Sequence, residues 1–183
     1  MAEIMDMPGS EKFTIGTYFQ TLTRLLASPR AFFNEMPAEG GWRQPLCFLF
    51  LSSLFFTGAS LTVMREHTLF MAGVLFVNAM GMTFISAGAA FVVITMTLGK
   101  RASFGGLFAV FAYSAGVTML ASWIPSFVWL TEPWKWTLVA LGLVKGCRLK
   151  WFQAILMVAL SIFLLILFFW SLAPLIAYVK GSS

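Results

Sequence analysis

Residues 103–123 read SFGGLFAVFAYSAGVTMLASW, a run with no charged side chain that follows the basic pair Lys100 and Arg101 and stops before Pro125. At 1.5 Å of rise per residue a helix of this length reaches about 30 Å, the thickness of a bilayer's hydrocarbon core. The run therefore reads as a membrane span. Its composition is small and mixed: Gly105, Gly106, Ala109, Ala112, Ser114, Ala115 and Gly116 share it with Tyr113 and Thr118. Small residues let helix backbones approach closely, so this span is expected to meet helix neighbours rather than lipid.

The rest of the chain repeats the pattern. The 183 residues are 60% hydrophobic and 10% charged, with a mean hydropathy of +0.88, whereas soluble domains carry about 25% charged residues. The fold class expected is an all-α integral membrane protein, a five-transmembrane-helix bundle preceded by amphipathic interfacial helices. The net charge of +5 does not point to nucleic acid, because the basic residues sit at the ends of apolar runs instead of forming a patch with interleaved aromatics. Glu3, Asp6 and Glu11 precede the first long apolar run, which begins near Leu46. No cleavable signal peptide is visible, and that run is expected to act as the targeting signal. Cys47 and Cys147 fall on the expected cytoplasmic side, where a structural disulfide is not expected.

Residues 1–12 read as a disordered polar tail and 13–44 as amphipathic interfacial helices. Over 13–27, Ile15, Tyr18, Phe19, Leu22, Leu25 and Leu26 recur at helical spacing, while Thr17, Gln20, Thr21 and Arg24 take the other face. The segment is too short to span. It either lies in the cytoplasmic interface, with Arg24 and Arg30 near anionic headgroups, or packs under the bundle as a plug. Ser28 and Pro29 read as the N-cap and first position of a short second helix.

Five spans are expected, at about 45–64, 68–98, 103–124, 133–147 and 150–179. The second carries Asn78, Gly81, Ser86 and Gly88 in its interior, and its length implies tilt or extension beyond the bilayer. The fourth is short. Either Trp134 and Trp136 sit at the interface with Lys135 snorkelling outward, or the segment crosses halfway. With five crossings and the amino terminus inside, the inner segments hold Lys12, Arg24, Arg30, Arg43, Lys100, Arg101, Lys145, Arg148 and Lys150. The outer ones hold Arg65, Lys135 and Lys180, as the positive-inside rule requires. This arrangement favours a full fourth crossing and places the carboxy terminus outside; the membrane expected is the inner (cytoplasmic) one.

Chemistry is scarce. The seven acids, Glu3, Asp6, Glu11, Glu35, Glu39, Glu66 and Glu132, fall outside the expected membrane interior, and His67 is the single histidine. No catalytic residue, cofactor or metal is expected, and the chain does not read as an enzyme. Proton-coupled carriers use ionisable groups inside the membrane, and none is expected here. A polar intramembrane or ligand path is assigned to Asn78, Tyr113, Ser114 and Thr118. Helix packing is assigned to Gly81, Gly88, Ala112, Gly116, Gly142 and Gly146, and lipid headgroup contacts to Arg24, Arg30, Lys100, Arg101 and Arg148. Gly142 and Gly146 have the G-x-x-x-G spacing, as Ala112 and Gly116 have its small-residue equivalent.

Four features together resemble the Yip family, the Ypt/Rab-interacting membrane proteins, in the form found in bacteria and archaea. They are SPRAFF at 28–33, WRQPLCF at 42–48 leading into the first span, ASFGGLFAVFAYSAG at 102–116, and a short, Trp-flanked fourth span. The resemblance covers 18–179, and Ala112 with Tyr113 take the places of the small residue and tyrosine that recur in the family's third span. It implies a five-span fold, a cytoplasmic amino terminus and a non-enzymatic role. Eukaryotic members carry an acidic, Gly- and Pro-containing motif before the first span, from which PAEGGWRQP at 37–45 departs. The long region through which they engage small GTPases is reduced here to about forty residues, so GTPase binding is not carried over. The expected partners are membrane lipids, a second copy of the chain or other membrane proteins. The role expected is membrane organisation or protein and lipid interaction. The alternative is an oligomeric small-solute channel or transporter.

Overall fold

The computed structural model describes residues 14–36, 41–63, 69–98 and 103–181, with side chains except at 98, 128, 168, 169 and 171–181. The described residues form helices joined by short turns, with no strand among them. The helices are α1 (Ile15–Ala27), α2 (Pro29–Glu35), α3 (Arg43–Val63), α4 (Leu69–Leu98), α5 (Phe104–Ser122), α6 (Val128–Lys145) and α7 (Trp151–Gly181), with a 3₁₀ turn at Pro125–Phe127. Among the described residues three helices, α3, α4 and α5, are long and apolar enough to cross a bilayer.

α5 begins where Ser103 caps it, accepting a hydrogen bond from the Gly106 N–H at 3.1 Å. Every residue from Gly106 to Thr118 is buried, so the helix has no free face over more than three turns. α3, α4 and α6 surround it. Side-chain pairs set their directions. Phe84 stacks on Phe108 at 4.5 Å and Phe91 meets Phe104 at 5.5 Å, so α4 runs antiparallel to α5. Phe48 meets Tyr113 at 5.3 Å, and the Ser53 hydroxyl donates to Met119 Sδ at 3.5 Å, so α3 runs parallel. Gly142 abuts Val110 while Ser122 Oγ reaches Thr131 Oγ1 at 3.0 Å, so α6 is antiparallel. α7 packs against α4 and α6. Arg43, Lys145, Arg148 and Lys150 thus gather at one end of the bundle, with Glu132, Lys135 and the tryptophans Trp123, Trp129, Trp134 and Trp136 at the other.

The helix expected over 133–147 starts earlier, at Val128, and runs 18 residues. Pro133 lies inside it. Pro lacks an N–H and costs the helix one internal bond, but the turn that contains it is bridged by the i, i+3 ion pair between Glu132 and Lys135 at 2.7 Å. The charged pair, which interrupts the hydropathy, does not interrupt the helix. At about 27 Å, α6 approaches the length of a crossing.

α1 has three faces. Tyr18 and Leu25 are buried against the bundle, and Ile15, Phe19 and Leu26 expose an apolar stripe beside them. Gly16, Gln20, Thr23, Arg24 and Ala27 are exposed on the remaining side. Such a division fits a helix lying at a membrane surface and touching the bundle along one edge. The Tyr18 and Ser52 hydroxyls share a hydrogen bond at 3.0 Å, the Tyr18 ring lies 4.9 Å from Phe48, and Arg24 pairs with Glu35 on α2. Phe33 of α2 is fully buried, inserted beside Gly142 and Val110.

Candidate functional site

Polar groups at the Glu132 end of the bundle converge on a cleft of about 180 Å³ between α4, α5 and α6. On α4, Asn78, Met82 and Ser86 follow one another at i, i+4 and i+8, so one helix face brings an amide and a hydroxyl to the same wall, with Thr83 beside them. On α5, Phe111, Ala115, Thr118 and Ser122 recur every three or four residues and form the floor. On α6, Glu132, Lys135, Trp136 and Val139 form the far wall. The antiparallel register puts Lys135 level with Thr118, about 6 Å from the C-terminal end of α5, and Asn78 level with Ala115, about 10 Å from it.

Hydrogen bonding decides what the cleft offers. The Thr83 hydroxyl donates to the Ala79 carbonyl at 3.2 Å, Thr118 to the Ser114 and Ala115 carbonyls at 3.1 and 3.0 Å, and Ser122 to the Thr118 carbonyl at 2.7 Å. These hydroxyl protons are committed to their own helices, which leaves oxygen lone pairs as acceptors. Asn78 is exposed, and neither it nor Ser86 makes a side-chain hydrogen bond among the described residues. Lys135 Nζ donates to Glu132 Oε1 at 2.7 Å and lies 5.4 Å from the centre of the Trp136 ring. The Glu132 side chain is 52% exposed and that of Lys135 27%, so the carboxylate keeps free lone pairs while the ammonium is the more enclosed partner.

The four residues assigned to a polar path divide. Asn78 and Thr118 line the cleft. Tyr113 lies on the other side of α5, 5.0 Å from Phe32 and 5.3 Å from Phe48, in an aromatic cluster that joins α1, α2, α3 and α5. Ser114 is fully buried, and its hydroxyl has no partner among the described residues. Thr83, Ser122, Glu132, Lys135 and Trp136 join the site without having been singled out for it. The signals available were the i, i+3 opposite charges at 132 and 135 and the four-residue spacing from Thr118 to Ser122.

The small residues also differ in setting. A Cβ at Gly116 would stand 2.7 Å from Phe48 Cε1, one at Gly142 would overlap Val110, and one at Gly146 would stand 2.9 Å from Met36 Cε. Ala112 is fully buried. A Cβ at Gly81 or Gly88 would meet nothing within 4 Å. The Gly142 and Gly146 face is occupied by α2 and α5 of the same chain. Among the assigned headgroup contacts, Arg24, Arg30 and Arg148 are exposed, and Lys100 and Arg101 lie outside the described residues. His67 does too. Among the described residues no group of His, Cys, Asp or Glu is arranged to hold a metal ion.

Comparison with curated proteins and with solved structures gave no match. Residues 23–173 match the family model of the Yip1 domain, over a stretch that runs from within α1 to within α7 and includes the resembling segments at 28–33, 42–48 and 102–116. With most of its length inside that match, the chain belongs to the Yip1 domain family.

Proposed function

We propose that the protein is a five-crossing, non-enzymatic protein of a prokaryotic inner membrane, amino terminus inside and carboxy terminus outside, that works through its bundle on lipids or neighbouring membrane proteins. The observation that carries this is the setting of α5. Its buried stretch is enclosed by its own chain, and α1 and α2 add Tyr18, Phe32 and Phe33 to an aromatic filling on its inner half. The bundle is packed where a carrier would need a path. The cleft lies on one side of that filling and offers hydrogen-bonding groups and an ion pair, which suits recognition.

The alternative, an oligomeric small-solute channel or transporter, draws support from Asn78 and Thr118 lining that same cleft. Proteoliposomes separate the two. Vesicles loaded with small ions, amino acids or sugars are expected to retain them equally with and without the protein. A solute-selective leak that Asn78→Leu abolishes would overturn the proposal.

A further inference from the structure

We propose that the outer cleft is a binding site for a phosphate-linked primary ammonium, the headgroup of an ethanolamine-type phospholipid. This rests on the lipid-interaction half of the function proposed above and names the ligand. The cleft is rich in acceptors. Thr118 and Ser122 present lone pairs because their protons are spent on backbone carbonyls, and the half-exposed Glu132 carboxylate at the same end adds a charge. A group with three N–H donors and a positive charge matches that set. A trimethylated ammonium has no donor to give, and a glycerol headgroup has no cation.

The second half of the headgroup finds its complement beside the first. Lys135 stands one helical turn from Glu132, and the Asn78 amide, unpartnered among the described residues, supplies a donor across the cleft. A zwitterion laid along the Glu132–Lys135 pair sets its ammonium against the carboxylate and its phosphate against the ammonium, without leaving a charge uncompensated. At about 30 Å³ per water the cleft holds roughly six waters, room for a headgroup and not for acyl chains. Its depth argues for a lipid over a dissolved molecule. An amide about 10 Å below the end of α5 is costly without a partner, and Met82, Phe111 and Met119 give an attached chain an apolar wall.

The test is native mass spectrometry of the detergent-purified full chain after incubation with equal amounts of dioleoyl phosphatidylethanolamine, phosphatidylcholine and phosphatidylglycerol. One charge-assisted hydrogen bond corresponds to about tenfold in affinity, so wild type is expected to retain phosphatidylethanolamine about tenfold over the others. Glu132→Gln should bring the three towards parity, and Asn78→Leu should weaken ethanolamine lipid binding several-fold. Ser86→Ala, a small change on the same wall, should weaken it less, and Lys145→Gln at the other end should leave it unchanged. All variants are compared at equal single-peak elution, so that misfolding is read separately. Equal retention of the three lipids, or a preference that survives both Glu132→Gln and Asn78→Leu, overturns the site. Displacement of the lipid by millimolar free phosphoethanolamine overturns the lipid as the source. Neither result alters the solute-flux test, which decides the broader proposal by itself.

Discussion

Replacing Gly142 by Ala adds one methyl group where α6 presses on α5 and α2. That carbon would overlap Val110 Cγ1 and stand 3.0 Å from Val110 Cγ2 and 3.2 Å from Phe33 Cε1. Neither neighbour moves cheaply, since both are fully buried and Val is stiff at χ1. Overpacking of this kind costs about 1–3 kcal/mol. An overlap between fully buried groups belongs in the upper part of that range, about 2–3 kcal/mol, and Ala gains about 0.8–1 kcal/mol over Gly in helix propensity, so a net loss of about 1–2 kcal/mol is expected. Gly88→Ala is the control, because a Cβ there meets nothing within 4 Å and only the propensity gain remains. In detergent, followed by the fraction eluting as folded protein after heating, Gly142→Ala should melt about 2–8 °C below wild type, and Gly88→Ala at or above it. Adding Val110→Ala to Gly142→Ala should cost less than Val110→Ala costs alone, because the two sites share the clash. A Gly142→Ala protein as stable as wild type, or two independent additive losses, would refute the packing argument.

Tyr18→Phe removes the 3.0 Å bond to the fully buried Ser52 hydroxyl and should cost about 1–2 kcal/mol, read as about tenfold faster amide hydrogen exchange in α1 with α5 unaffected. Leu25→Ser, at a fully buried position, should release α1 to protease, whereas Leu26→Ser, at an exposed one, should leave it protected and weaken only the hold of an isolated 13–36 peptide on vesicles. Arg148 has φ 53°, the left-handed region that disfavours any residue with a Cβ. Arg148→Gly should therefore raise stability by about 1 kcal/mol, and a lower melting temperature would show that the guanidinium makes a contact worth more than that strain.

Local pattern carried much of the fold. Ser28 followed by Pro29 marked the start of α2, and the glycine- and alanine-rich run at 103–123 marked the helix that its neighbours enclose, because small side chains are what close helix approach requires. The docking of α1 was not legible. Its anchor, Tyr18 on Ser52, joins positions 34 apart, and nothing in either local pattern says that one tyrosine of an amphipathic stripe turns inward while Phe19 turns out. The start of α6 was hidden because Glu132 and Lys135 break the hydropathy although their mutual pairing lets the helix continue. The cleft was half legible. At 100° per residue, Phe111, Ala115, Thr118 and Ser122 share a face from which Tyr113 is turned away, so the spacing alone separates Tyr113 from Thr118. Which helix faces that wall is a matter of packing, and Glu132 and Lys135 enter the site only through it.

The most direct test of the membrane arrangement uses single cysteines in a Cys47→Ala, Cys147→Ala background, probed with a membrane-impermeant maleimide in intact cells. Ser126, in the exposed turn between α5 and α6, and Gly41, exposed before α3, mark opposite ends of the bundle. Ser126→Cys should label from outside, and Gly41→Cys only after the membrane is permeabilised. Labelling of both from the same side, or of Gly41→Cys alone in intact cells, would contradict the proposed topology.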